Sequence, residues 1–147
     1  MKRTQVIGIG SYLPENILTN KDIEKLCDTN DEWIRKRTGI EQRHVVTPGQ
    51  GSSDLALPAA QEALKNAGMV PEDIELIVFC TITPDQLVPG SASLLQGTLG
   101  AVNAAAFDVN AACSGFINGL AVADAFLQSG KYSNVLLIGA EVQSNRM

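Results

Sequence analysis

At 147 residues the chain has the length of one domain around a single core, and with 45% hydrophobic and 18% charged residues its composition is neither disordered nor fibrous. A net charge of -5 without any run of Lys or Arg argues against nucleic acid as a partner, and no apolar stretch approaches the length of a membrane span. The N-terminal MKRTQVIGIGSYLP has too short an apolar stretch for a secretory signal, and the three cysteines, Cys27, Cys80 and Cys113, form no C-x-x-C pair and leave one over in any disulfide scheme. A reducing, cytoplasmic setting is expected.

In chain order, residues 4–11 (TQVIGIGS) form a β-branched run ended by Tyr12, Leu13 and Pro14, which predicts a buried first strand. Residues 20–27 and 30–36 each open on an asparagine suited to capping, with acids in the first turn, and predict two short helices, the second stopped by Gly39. Residues 52–68 space Leu55, Ala59, Ala63 and Ala67 helically and end on Gly68, while Pro58 should kink this helix or move its start. The near-continuous apolar run 74–82 (IELIVFCTI) predicts a strand covered on both faces. A helix over 91–99, a strand over 104–109, a helix over 114–129 and a strand over 134–139 complete an alternation that specifies an α/β fold, with helices on either side of a mostly parallel sheet.

Gly8 and Gly10 invite a dinucleotide-loop reading and hence a nucleotide-dependent oxidoreductase. Leu13 stands at the third glycine position and Pro14 where a helix should run, so close packing of a buried segment is the better account. Cys113, in AAAFDVNAACSGFING, falls between a predicted strand and a predicted helix, where the helix N-terminus favours a thiolate and the small neighbours Ala111, Ala112, Ser114 and Gly115 admit a thioester. Packing as a small hydrophobe is the alternative fate of such a cysteine. Cys27 and Cys80 lack that placement and are expected to be inert, and His44, the sole histidine, reads as structural. Without a second histidine or a cysteine pair no metal site is expected. Trp33, the single tryptophan, precedes Arg35, Lys36 and Arg37, a combination that suits a nucleotide with phosphates, or equally a ring packed on the domain beside solvated cations.

Together DTNDEWIRKRTGIEQRH, AFDVNAACSGF and LLIGAE, in this order and at these separations, resemble the β-ketoacyl-acyl-carrier-protein synthase III family, from GIGSYLPE to the final GAE. The resemblance implies one αβα half of the five-layered thiolase-like architecture, spanning 1–147 as the N-terminal half, with the family's second half absent. It implies an acyltransferase that starts fatty-acid synthesis, with Cys113 accepting the acyl group from an acyl-CoA, acetyl-CoA first among primers. Trp33 would stack on the adenine of coenzyme A, Arg37 would hold its phosphates and Thr29 would contact the adenine. Coenzyme A enters as a substrate thioester, so no bound cofactor is expected. Malonyl-acyl carrier protein and a second copy in a homodimer are the implied partners. Val88 matches a position reaching the partner's acyl pocket, and its small side chain implies room beyond acetyl. The histidine and asparagine that the family uses for condensation belong to its second half, so a non-catalytic fragment retaining the fold and dimer surface is the rival reading. His44 matches a non-catalytic histidine of the family.

Overall fold

A computed structural model describes residues 3–144, which divide into two compact units, one comprising 3–12 with 50–143 and the other 13–49 with 144. The larger unit is built on a three-stranded parallel sheet in the order β4-β3-β5, formed by β3 (Leu76–Cys80), β4 (Ala105–Val109) and β5 (Val135–Gly139). Val78 of β3 is in register with Phe107 on one side and Leu137 on the other. Helices α3 (Ser52–Ala67) and α4 (Ser91–Leu99) cover one face, and α5 (Gly115–Ser129) covers the other.

The central strand explains the layering. Successive side chains of a strand point to opposite faces. Ile77 and Phe79 therefore enter a core with Ala56, Ala60 and Leu64 of α3, Leu95 and Leu99 of α4, and Leu136 and Ile138 of β5. Leu76, Val78 and Cys80 face the opposite way, toward Val122 and Phe126 of α5 and Leu137 of β5. Every residue of β3 is buried, as an uninterrupted apolar run in a parallel sheet requires. Among the described residues no helix is long and apolar enough to cross a membrane.

Most expected boundaries hold to within two or three residues. Helix α4 occupies the predicted span, and α3 and the helix α2 (Asp31–Thr38) end on Gly68 and Gly39, both in the left-handed conformation at φ 66° and 72°. Pro58 neither moves the start of α3 nor interrupts it, and the helix runs from Ser52 through Pro58 to Ala67. The proline withholds one helical N–H, a loss that the packing of Ala56, Ala60 and Leu64 outweighs.

Two expectations are corrected. Residues 4–11 form no strand, because no described strand pairs with their backbone; they lie irregularly along α3. Asn66 donates to the Ile9 carbonyl at 2.8 Å, and Glu62 accepts from the Ser11 amide at 2.6 Å. A Cβ at Gly8 would collide with the Ala63 carbonyl and one at Gly10 with the Ala59 carbonyl, so these glycines serve close approach to α3 and no dinucleotide loop is present. The helix expected over 20–27 shortens to α1 (Asn20–Ile23), and its cap is Thr19, reciprocally bonded with Asp22, rather than Asn20. Lys25 and then Thr19 hold the Asp22 carboxyl well below the ordinary carboxylate range.

The smaller unit also holds a pair the sequence did not announce. Strand β1 (Asn16–Thr19) runs antiparallel to β2 (Gln42–Val45), with Ile17 opposite His44. Helix α2 is capped by Asn30, whose side chain accepts from the Trp33 amide at 2.8 Å, and it buries Ile34.

Candidate functional site

The chemistry-bearing residues fall into two sets, one in each unit. In the larger unit the chain leaves β4 at Val109, passes through a single 3-10 turn over Ala112–Ser114 and enters α5 at Gly115, which places Cys113 at the sheet's C-terminal end beside a helix N-terminus. Cys113 is exposed. The residue before it, Ala112, has φ 46°, a left-handed conformation that costs a non-glycine residue about 1–2 kcal/mol and needs a surrounding structure to impose it. Ser114 helps impose it, since its amide and its hydroxyl both donate to the Ala111 carbonyl, at 3.1 and 2.8 Å. The Gly115 amide donates to the Ala112 carbonyl. Ser114 makes no side-chain cap to α5, so the helix's first-turn amides and partial positive charge face the turn that carries Cys113.

Small residues let α5 approach the sheet at this point. A Cβ on Gly119 would overlap the Cys80 sulfur and lie 2.9 Å from Leu137 Cδ1, and one on Gly139 would lie 3.0 Å from the Phe116 ring. Cys80 is buried beneath α5, and desolvation raises its thiol pKa above the ordinary value, against a smaller lowering by the Gly119 backbone. Cys27 is exposed, with its thiol 3.7 Å from the Ile23 carbonyl. Of the three cysteines, Cys113 alone stands at a strand-to-helix junction.

The loop between β3 and α4 is fixed at its base and bare at its tip. Glu141, just past β5, accepts from the Thr83 hydroxyl at 2.7 Å, the Ile82 amide at 3.0 Å and the Thr81 hydroxyl at 3.3 Å. Ser52 donates to the Thr83 carbonyl at 2.6 Å and the Ser53 hydroxyl to Asp85 at 3.0 Å, so the start of α3 grips the same loop. On its far side Asp108 of β4 accepts the Ser91 and Ala92 amides at 2.9 and 2.7 Å. Leu87 and Val88 at the tip are 89% and 86% exposed, an apolar pair presented on a rigid stem. Sequence reasoning picked out Val88 and missed this stem, because hydroxyls and carboxylates scattered from Ser52 to Glu141 converge only after folding.

In the smaller unit α2 presents Trp33, which is 53% exposed, and Arg37 one turn later. The Arg37 guanidinium carbon stands 5.5 Å from the centroid of the Trp33 ring, so the i,i+4 spacing has brought plate and cation together as a cation–π pair. Thr29, partly buried, immediately precedes the Asn30 cap. His44 sits in β2 with Nδ1 2.5 Å from the Pro14 carbonyl, the structural role expected of it. Among the described residues no group of three or more His, Cys, Asp or Glu side chains is arranged to hold a metal ion.

A family profile of 3-oxoacyl-[acyl-carrier-protein (ACP)] synthase III matches residues 107–147, the stretch that carries Cys113. The β-ketoacyl-[acyl-carrier-protein] synthase III of Caldanaerobacter subterraneus subsp. tengcongensis is 54% identical over 139 residues, 95% of this chain and 42% of its own length. That of Ehrlichia canis is 49% identical over 144 residues, 98% of this chain and 45% of its own. The crystal structure of 3-oxoacyl-[acyl-carrier-protein] synthase III from Aquifex aeolicus superposes with a TM-score of 0.94 at 49% identity, covering 97% of this chain and 46% of that one. The chain thus spans a little under half the length of the relatives it matches.

Proposed function

Because the chain belongs to the β-ketoacyl-acyl-carrier-protein synthase III family, we propose that it is the nucleophile-bearing part of a condensing enzyme that starts fatty-acid synthesis. The observation that carries this reading is the placement of Cys113, exposed in a strained turn at the N-terminus of α5. The Cys113 thiolate attacks the carbonyl carbon of an acyl-CoA, the developing oxyanion is met by backbone amides of the turn, and the tetrahedral intermediate collapses with loss of coenzyme A thiolate. The resulting acyl-cysteine is then attacked by the carbanion that forms as malonyl-acyl carrier protein loses CO2, which makes the new carbon–carbon bond and returns the thiolate. Groups outside this chain assist that second step.

The exposed pair of Trp33 and Arg37 supports α2 as the coenzyme A site, with the ring on the adenine and the guanidinium on phosphate, and Thr29 at the adenine's edge. Acetyl-CoA is the proposed primer. The bare apolar tip at Val88 supports a dimer in which it helps to close the partner's acyl pocket, with room for chains longer than acetyl. Such an enzyme works in the cytoplasm, with coenzyme A as substrate and no resident cofactor.

The direct test is to incubate the full-length protein with acetyl-CoA and map the added acetyl group by peptide mass. The expected result is one thioester on the peptide containing Cys113; no uptake, or label on Cys27 or Cys80, would overturn the assignment. Trp33→Ala should weaken coenzyme A binding about tenfold, within the range set by loss of one base–aromatic stack, while the rate of Cys113 alkylation stays unchanged. Unaltered binding would remove α2 from the site.

A further inference from the structure

We infer that Asn20 is the positioning residue for α2, the helix that presents Trp33 and Arg37, an inference that rests on the coenzyme A reading of that helix. Asn20 is a polar residue only 1% exposed at the first position of α1, and since Thr19 caps that helix, the Asn20 side chain is free for other work. Its Nδ2 donates to Asp31 Oδ1 at 2.7 Å, at the first residue of α2, and to the Ile40 carbonyl at 2.8 Å, two residues past the end of α2. Its Oδ1 accepts from the Arg43 guanidinium of β2.

One amide therefore ties both ends of α2 to the β1-β2 pair. Its orientation is not ambiguous: the Ile40 carbonyl and the Asp31 carboxylate accept, and the Arg43 guanidinium donates. Secondary contacts converge on the same frame. The Asp31 amide donates to Glu24 at 2.7 Å, the Asn20 amide donates to the Glu41 carbonyl at 3.2 Å, and Arg35 pairs with Asp31 and Glu41 at 3.2 and 3.0 Å. These last groups are exposed and contribute little on their own. The buried amide is the member whose loss leaves polar groups unmatched in a dry place.

Asn20→Asp is nearly isosteric and keeps the Arg43 pairing, but it faces two acceptors with oxygen where nitrogen stood. The helix is then free to drift relative to β2, and the Trp33–Arg37 pair with it, whereas Cys113 in the other unit keeps its own supports. Coenzyme A is titrated into full-length wild-type, Asn20→Asp and Asn20→Ser proteins while tryptophan emission is followed, with Trp33→Phe protein subtracting any other tryptophan. Quenching of Trp33 in the wild type is expected. Both Asn20 variants should bind about tenfold more weakly and show a KM for acetyl-CoA about tenfold higher, with kcat and the rate of Cys113 alkylation within about twofold of wild type. If wild-type Trp33 is not quenched, the coenzyme A reading falls and this inference with it. If the wild type is quenched and the variants match it, the role of Asn20 alone is overturned. Failure of both variants to fold, or equal loss of binding and of Cys113 reactivity, would also overturn it, since Asn20 would then serve folding at large rather than α2.

Discussion

Replacement of Cys113 by alanine in the full-length protein should abolish acetyl uptake from acetyl-CoA and lower the condensing rate by about four orders of magnitude or more, the scale on which enzymes lose activity with their nucleophile. The expectation follows from the geometry. Cys27 makes its thiol contact with a helical carbonyl in the smaller unit, and Cys80 lies buried beneath α5 with its thiol held protonated by desolvation. Neither can take over. Alanine fits the turn without new contacts, so the melting point should stay within a few degrees, and Trp33 quenching by coenzyme A should be unchanged. Serine in place of Cys113 should be nearly as inactive, because a hydroxyl oxygen is a far poorer nucleophile toward a thioester than a cysteine sulfur. Uptake that survives Cys113→Ala would mean that another group carries the acyl chain. A full-length wild type that takes up nothing would instead favour a non-catalytic relative that keeps the fold.

What the sequence made legible, it made legible through burial. The run from Leu76 to Cys80 is apolar at every position because both faces of that strand are covered, and no shorter or half-buried strand is so easily read. Helix ends at Gly39 and Gly68 were visible because a left-handed residue after a helix is nearly a signature of glycine. The apolar run at residues 4–11 carries the same signal as β3, yet it forms no strand among the described residues, since strand formation depends on a neighbour's backbone and not on propensity alone. Conversely, Asn16–Thr19 and Gln42–Val45 pair although each has only four residues and no turn joins them directly. Their partners lie far apart in sequence and no local pattern announces them.

The candidate site divides in the same way. Cys113, Trp33 and Arg37 could be singled out because their chemistry is local, and Val88 only through the family resemblance. Ala112 could not be, since alanine gives no hint of a positive φ, and the strain beside Cys113 appears only in the backbone. Asn20 was misread as a cap for a physical reason: asparagine before a helix usually caps it, and only the neighbouring Thr19–Asp22 pair shows that the cap is already filled. A sequence reading that checked the T-x-x-D spacing would have released Asn20 for another role.

The seating of α5 on the sheet gives the second large effect. Gly119→Ala adds one methyl in mid-helix, and on propensity alone it should stabilise the protein by about 1 kcal/mol. Packing opposes this, because the methyl would overlap the Cys80 sulfur and lie 2.9 Å from Leu137 Cδ1 against a strand that is buried on both faces and cannot retreat. Overpacking of this kind costs about 1–3 kcal/mol, so a net loss of up to about 2 kcal/mol is expected in the denaturant unfolding of the full-length protein. The cause can be isolated with Cys80→Ala, which removes the sulfur from the new methyl's place. The double variant should be more stable than the sum of the two single changes predicts, by about 1 kcal/mol or more, the signature of a direct contact. Because α5 begins two residues after Cys113, lifting the helix off β3 also turns its first-turn amides away from the sulfur, so the single variant should lose acetyl uptake and the double variant regain part of it. A Gly119→Ala protein more stable than wild type would show instead that α5 rides farther from β3, and the close seating of the helix that presents Cys113 would have to be abandoned.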